Sequence, residues 1–246
     1  MAREHSPLEV MPQGLAKVVA RERIWFVIGG HAVRCFCPYR PSDDVDFGVT
    51  TAKDLAALMR RLRRRAAVSV IEQTNDTVHA QVNDTDVSIF VLPKLKKYTE
   101  GQVLTVDGIL ATKLHAILDR GTRRDFFDLY VMMERERLGF VDCFRAIREV
   151  YATKVNEGLL LRAITYFADA DAEAKLPGEG PADWKRVKAF FVSAAGTLLT
   201  PPSTPLVIQA RRVAVHAAAA SQKKAPRSRS SRVARTKTAG CRKRAR

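Results

Sequence analysis

The sequence predicts an α/β fold: a small mixed sheet with helices packed on it, followed by a helical C-terminal lobe and a disordered basic tail. Three observations carry this expectation. Short apolar runs alternate with helical periodicities up to about residue 105. From Gly108 onward the spacing is helical throughout. Residues 207–246 hold 13 of the 42 Lys and Arg and none of the 26 Asp and Glu. The expected divisions are an α/β domain over residues 1–105, a helical lobe over 106–200 and a flexible tail over 201–246.

Taken in order, residues 8–22 show helical spacing in Val10, Leu15, Val18 and Val19, which predicts a helix leading into the domain. The run 24–28 is continuously apolar with branched and aromatic members, the composition of a buried strand. It ends at Gly29-Gly30, and residues 31–36 can start a helix, so the glycines fall at a strand-to-helix turn. A second strand is expected at 45–49. Thr51 reads as an N-cap with Asp54 three residues on, and Leu55, Leu58, Met59 and Leu62 form the apolar stripe of the next helix. Its other flank carries Arg60, Arg61, Arg63, Arg64 and Arg65, a solvated face or an RNA-binding one. Strands follow at 68–71, 78–82 and 87–92, with Asn75-Asp76 and Asn83-Asp84 as turns. Beyond Gly108, apolar spacings predict helices around 110–118, 126–133, 140–151, 159–167 and 184–198, with a Pro/Gly loop at 174–183. Residues 221–246 have too few large apolar side chains to build a core and are expected to be disordered in isolation.

With 246 residues, 46% of them hydrophobic, the chain can bury a sizeable core. The net charge of +16 belongs mainly to the tail, since the first 206 residues carry 29 basic against 26 acidic side chains. Cys35, Cys37, Cys143 and Cys241 form no C-x-x-C pair and no zinc spacing, so reduced thiols are expected. No signal-peptide core and no run of about 20 apolar residues is present, which predicts a soluble, cytoplasmic protein.

The chemistry lies in an ordered set of pieces. A buried strand ends in Gly29-Gly30; Arg40, Ser42, Asp44 and Asp46 follow as Arg-x-Ser-x-Asp-x-Asp; and a third acid, Asp86, opens a later apolar strand. Aspartates at i and i+2 of a strand point to one face, and Asp86 on a neighbouring strand could join them. Carboxylates that close repel unless cations sit between them. Mg²⁺ (or Mn²⁺) suits this, because it takes a few carboxylate oxygens and fills its shell with water and phosphate oxygens. Two such ions about 4 Å apart serve an in-line phosphoryl displacement. Glycines without Cβ atoms let the backbone approach a triphosphate, and the helix that follows offers amide donors.

Residues 27–33 (Val-Ile-Gly-Gly-His-Ala-Val) and 40–46 (Arg-Pro-Ser-Asp-Asp-Val-Asp) resemble the signature of minimal nucleotidyltransferases of the DNA polymerase β superfamily. Lys113-Leu114-His115-Ala116-Ile117-Leu118-Asp119-Arg120, followed by Arg124-Asp125-Phe126-Phe127-Asp128-Leu129-Tyr130, resembles the AbiEii/AbiGii toxin family. The resemblance covers about residues 24–133. It implies transfer of a nucleoside monophosphate from an NTP to a hydroxyl, in RNA and in particular at a tRNA 3′ end, with an antitoxin protein as a possible partner. It also implies Asp44 and Asp46 as the metal-binding pair, Asp86 as a further metal ligand or general base, and Gly29 and Gly30 as the phosphate turn. Lys113 would contact the nucleotide phosphates, and Asp128, or Asp125 in the other register, would supply a further acid. Many members place Ser or Thr after the glycines, where this chain has His31.

Plainer readings stand beside these. Arg40 and Ser42 either shape their loop or meet phosphate. Arg120, Arg123 and Arg124 are either solvated helix ends or a rim for an anionic substrate, and His31, His79 and His115 are not at metal-site spacing. The tail is either a salt-sensitive nucleic-acid contact or a solubilising extension. A small-molecule acceptor such as an aminoglycoside, or a non-catalytic nucleic-acid-binding protein on the same scaffold, are the competing functional classes.

Overall fold

The computed structural model describes residues 3–152 and 156–199; the tail expectation for 201–246, with Cys241, lies outside them. The opening segment forms two short helices, α1 (Pro7–Val10) and α2 (Gln13–Val19), where one was expected. Met11 stands before Pro12 and is extended at φ −93°, ψ 162°, because a residue preceding proline is pushed out of the helical region.

The sheet begins with β1 (Trp25–Val27), which runs into α3 (Gly29–Arg34), and then β2 (Val45–Val49). Helix α4 (Ala52–Arg65) starts on the anticipated cap: Thr51 Oγ1 accepts from the Asp54 amide at 3.1 Å, and the Asp54 carboxylate accepts from the Thr51 amide at 3.1 Å. Strands β3 (Val68–Gln73), β4 (Thr77–Val82) and β5 (Thr85–Val91) form a meander. A hairpin of β6 (Thr99–Glu100) and β7 (Val103–Leu104) was not anticipated, since each strand is only two residues long. Gly101 and Gln102 turn it at φ +51° and +66°. The strand order is β3-β4-β5-β2-β1-β7-β6, with β2–β5 and β1–β7 parallel and the other pairs antiparallel.

Alternation sorts the sheet into two faces. Val45, Phe47 and Val49 of β2, Val87 and Ile89 of β5, and Val78, Ala80 and Val82 of β4 are buried on one of them. The α4 stripe of Leu55, Leu58, Met59 and Leu62 is buried with them, and α4 packs on β2 and β5. Each such side chain contributes about 1.5–3 kcal/mol by leaving water. On the arginine flank of α4, Arg61 and Arg65 pair with Glu22, while Arg60, Arg63 and Arg64 are exposed.

Helices α5 (Val106–Asp119), α6 (Arg123–Glu136), α7 (Phe140–Tyr151), α8 (Glu157–Thr165), α9 (Ala168–Ala172) and α10 (Asp183–Leu199) complete the described chain. Buried along much of its length, α5 packs on α6, α7 and α8 and also on α3 and β7, so it joins the sheet to the helices. The described residues accordingly form one compact unit.

Phe26 fixes one tight spot. A Cβ at Gly48 would sit 2.3 Å from Phe26 Cε2 and 2.4 Å from its Cζ. Gly48→Ala is expected to destabilise the fold by about 1–3 kcal/mol through overpacking, read as a lowered midpoint in urea. A midpoint equal to wild type would contradict this packing.

Candidate active site

Three segments meet at a cavity of about 210 Å³ lined by twelve residues. The β1–α3 turn supplies Gly29 and Gly30, and the loop before β2 with β2 itself supplies Arg40, Ser42, Asp44 and Asp46. The α5–α6 region supplies Lys113, Arg120 and Arg124, and β4 and β5 supply His79, Ser88 and Phe90.

The glycines are required by close approach. Gly29 has φ +59°, and a Cβ there would fall 2.3 Å from Asp46 Oδ2. A Cβ on Gly30 would meet Ser42 Oγ at 2.9 Å and Arg40 Nη2 at 3.1 Å. The turn therefore packs directly on Asp46, Ser42 and Arg40. Ser42 Oγ donates to Asp44 Oδ1 at 3.1 Å, and Arg124 Nη1 stands 3.4 Å from Asp44 Oδ2.

The two acids differ in their electrostatics. Burial pushes the Asp44 carboxyl up, but the Arg124 charge and the Ser42 hydrogen bond outweigh it and hold the group below its ordinary value. Asp46 is pushed up, first by burial and then by the Asp44 charge, against the pull of Lys113, Arg124 and Arg120. A carboxylate held above its usual range beside a second one is a place where an added cation would relieve repulsion.

Behind the cavity lies a buried ionic network. Asp128, 1% exposed at its side chain, receives Arg40 Nη2 on both oxygens at 3.0 Å, Lys113 Nζ at 2.6 Å and the Tyr39 hydroxyl. Asp125 receives Arg120 at 2.8 and 3.1 Å, Lys113 at 3.4 Å and the Thr122 hydroxyl. Positions 125 and 128 share one face of α6, and both acids are buried there. Neither lines the cavity. They hold its cations from behind, and both registers left open in the sequence are occupied by a buried, paired acid. Lys113, with three N–H donors, keeps one for the cavity after serving two carboxylates.

The remaining expected residues divide. Arg120 and Arg124 reach the cavity rim, whereas Arg123 is buried against Glu179 at 2.6 and 2.9 Å and over the Trp184 ring at 4.7 Å. His31 is buried and outside the lining. Burial, then the neighbouring Arg34, lowers it to about 4, so the ring is neutral; it lies against Asp44 without closing a full hydrogen bond.

Asp86 is not brought in. It is exposed on β5, opposite Gln81, and the cavity is lined on that strand by Ser88 and Phe90. Of the three acids expected to converge, two do. Among the described residues no group of three or more His, Cys, Asp or Glu is placed to hold a metal ion. Parity along β5 carries from Asp86 to Ser88 and Phe90, a signal that would have found both; His79 had no such pointer.

A turn of two glycines against paired aspartates, flanked by four cations, is an arrangement suited to phosphoryl chemistry. The chain matches the family described as "Nucleotidyl transferase AbiEii toxin, Type IV TA system" over residues 74–210, more than half its length, and it belongs to that family of nucleotidyltransferases. The matched span begins beyond Asp46 and includes β4, β5 and the helices from α5 onward. An uncharacterized protein of Aquifex aeolicus (strain VF5) is 24% identical over 176 residues, covering 68% of this chain and 84% of that one. A structure from H. pylori described as that of a nucleotidyltransferase is 16% identical with a TM-score of 0.48, over 76% of this chain and 92% of that chain. An antigenic nucleotidyltransferase-like protein from Paracoccidioides brasiliensis is also 16% identical, with a TM-score of 0.37, over 65% and 94%. Neither structural likeness reaches 0.5, and membership rests on the family match. No helix among the described residues is long and apolar enough to cross a membrane.

The network predicts acid lability. Burial raises the Asp125 carboxyl, but the Arg120 hydrogen bonds and the Lys113 charge overcome it and bring it to about 2, below the ordinary 3.8. A depressed folded-state value gives stability that is complete above about pH 4 and lost as pH falls through about 2, on the order of 2 kcal/mol for this one group. Asp125→Asn should flatten the fall of the urea midpoint between pH 4 and pH 2, and an unchanged slope would remove Asp125 from the account.

Proposed function

We propose that the chain transfers a nucleoside monophosphate from an NTP to a hydroxyl of RNA, using divalent metal held by Asp44 and Asp46, and acts as a growth-arresting toxin countered by an antitoxin partner. The observation that carries this is the packing of the Gly29–Gly30 turn onto Asp46, with Asp44 beside it and four cations around them.

The donor set fits Mg²⁺ or Mn²⁺, ions satisfied by one or two carboxylates plus water and substrate phosphates. Charge balance supports the same reading. Asp44, Asp46, Asp125 and Asp128 offset Arg40, Lys113, Arg120 and Arg124 one for one. A triphosphate would then bring more negative charge than the side chains can meet, and divalent ions arriving with it supply the difference. When bound, such an ion polarises the phosphoryl oxygens and stabilises charge on the leaving pyrophosphate.

The chain's own groups do the positioning. The glycine turn lets Asp46, Ser42 and Arg40 close onto the backbone, Arg40 and Lys113 are oriented by Asp128, and Arg120 and Arg124 line the open side, half exposed. Arg124, now at Asp44, is placed to swing to a phosphate when a cation takes that carboxylate. RNA as acceptor is supported by the 13 basic residues without an acid in the terminal 40.

Asp46→Asn removes a charge that burial and Asp44 disfavour, so it should fold at least as stably as wild type. It should lower labelled-NTP incorporation into total RNA by roughly 10²-fold or more, the scale of losing one charged stabiliser, and relieve growth arrest. Chelation by EDTA should abolish incorporation. Equal incorporation by a folded Asp46→Asn protein, or transfer only to candidate aminoglycosides and not to RNA, would refute the proposal.

A further inference from the structure

Nucleotidyl transfer needs somewhere for the acceptor's proton to go, and the cavity offers few destinations. Its arginines and its lysine present only donors. Asp44 and Asp46 are assigned above to the metal, and Asp86 stands outside the lining. One further lining side chain has a nitrogen lone pair, and the sheet register says where it sits. On parallel β2 and β5 Asp46 is paired with Ser88, and on antiparallel β5 and β4 Ser88 is paired with His79. Asp46, Ser88 and His79 therefore form one row across three strands, and cross-strand partners at the same level project to the same face. All three line the cavity.

His79 is also held. Its Nδ1 lies 2.9 Å from Ser88 Oγ, and its ring meets Phe90 edge-on, with centroids 5.7 Å apart at 78°. When Nδ1 carries the hydrogen and donates it to Ser88 Oγ, Nε2 keeps its lone pair. A hydrogen bond to one ring nitrogen thus selects the tautomer in which the other can accept.

We infer that His79 is the general base of the transfer, oriented by Ser88, in the place where a third carboxylate was expected from the sequence. This rests on the reading under Proposed function and identifies the group acting on the acceptor. The acceptor oxygen forms its bond to the α-phosphorus as the bond from that phosphorus to the bridging oxygen of the leaving pyrophosphate breaks. The acceptor's hydroxyl proton passes to His79 Nε2, and the electron pair of the broken bond leaves on pyrophosphate. Ser88 is a positioning residue, because it acts through the imidazole.

The test is single-turnover transfer from a labelled NTP into total RNA, with nucleotide binding measured separately on the full chain. His79→Gln should lose at least about 100-fold in rate, within the range of general-base catalysis, while the NTP dissociation constant stays within about threefold. Free imidazole should restore a measurable part of the rate to His79→Ala, and Asp86→Ala should stay within about threefold of wild type. A His79→Gln rate within tenfold of wild type overturns the inference. So does a folded, nucleotide-binding His79→Ala protein that imidazole leaves inactive, since the ring would then serve only as shape. A wild-type chain that transfers nothing to RNA is a separate result, which sinks the proposed function itself.

Discussion

The Asp128 carboxylate is the point on which the site's geometry turns. It is fully buried on α6 and takes Arg40 from the loop before β2, Lys113 from α5 and the Tyr39 hydroxyl. Burying an ion costs several kcal/mol unless partners satisfy it, and removing one partner from such a cluster leaves the others uncompensated, commonly at 3–5 kcal/mol. Here the carboxylate's value is held below the ordinary one although burial raises it, because Lys113 and Arg40 lie against it. The loop that carries Ser42 and Asp44 is therefore anchored through Arg40 to a helix 88 residues away in sequence.

The same anchoring sets the electrostatics of the cavity. Arg40 and Lys113 are long, flexible cations that would otherwise pay side-chain entropy to stay in one place. Pairing from behind removes that freedom in advance and turns their remaining donors inward, which is the preorganisation phosphoryl transfer depends on. It also reduces their net charge. Arg120 is held in the same way by Asp125, whereas Arg124 pairs with Asp44 alone among the described residues and is half exposed. The rim thus contains fixed cations and one that can move, and the movable one is paired with an acid assigned to the metal.

Much of this was legible in the residues. The strand ending in Gly29-Gly30, the Thr51–Asp54 cap, the α4 stripe and the three-strand meander follow from local periodicity and local hydrogen bonding, which act over a few residues and leave clear patterns. The pairing of Asp44 with Asp46 was likewise readable from period two. What was not legible depends on register and on distance. The β6–β7 hairpin is too short to show alternation, and its place beside β1 is set by tertiary packing. Asp125 and Asp128, three apart on a helix, have the spacing of ordinary surface acids; only the approach of Arg40, Lys113 and Arg120 makes burying them tolerable. Asp86 shows the reverse error. An acid opening an apolar strand looked like the third ligand, but the parallel register sets Ser88, two residues later, beside Asp46.

That register has a physical consequence for how the sheet divides its work. A one-residue slip of a strand exchanges its two faces, so the buried set of Val78, Ala80, Val87, Ile89, Val45 and Phe47 fixes which side chains can reach the opposite face at all. Once those six face α4, Asp46, Ser88 and His79 have no choice but to share the other side, at one level. The chemistry is then specified by the core rather than by the loops: α4 holds β2 and β5 in phase, and the phase decides that a hydroxyl and an imidazole, and not the Asp86 carboxylate, stand across from Asp46. A two-residue shift of β5 would keep Phe47 and Val49 against apolar partners, set Thr85 against Val45, and exchange Ser88 for Asp86. What opposes that shift is the Asn83 turn, whose φ of +52° and side-chain acceptance from the Ala67 amide tie the β4–β5 connection to the start of β3.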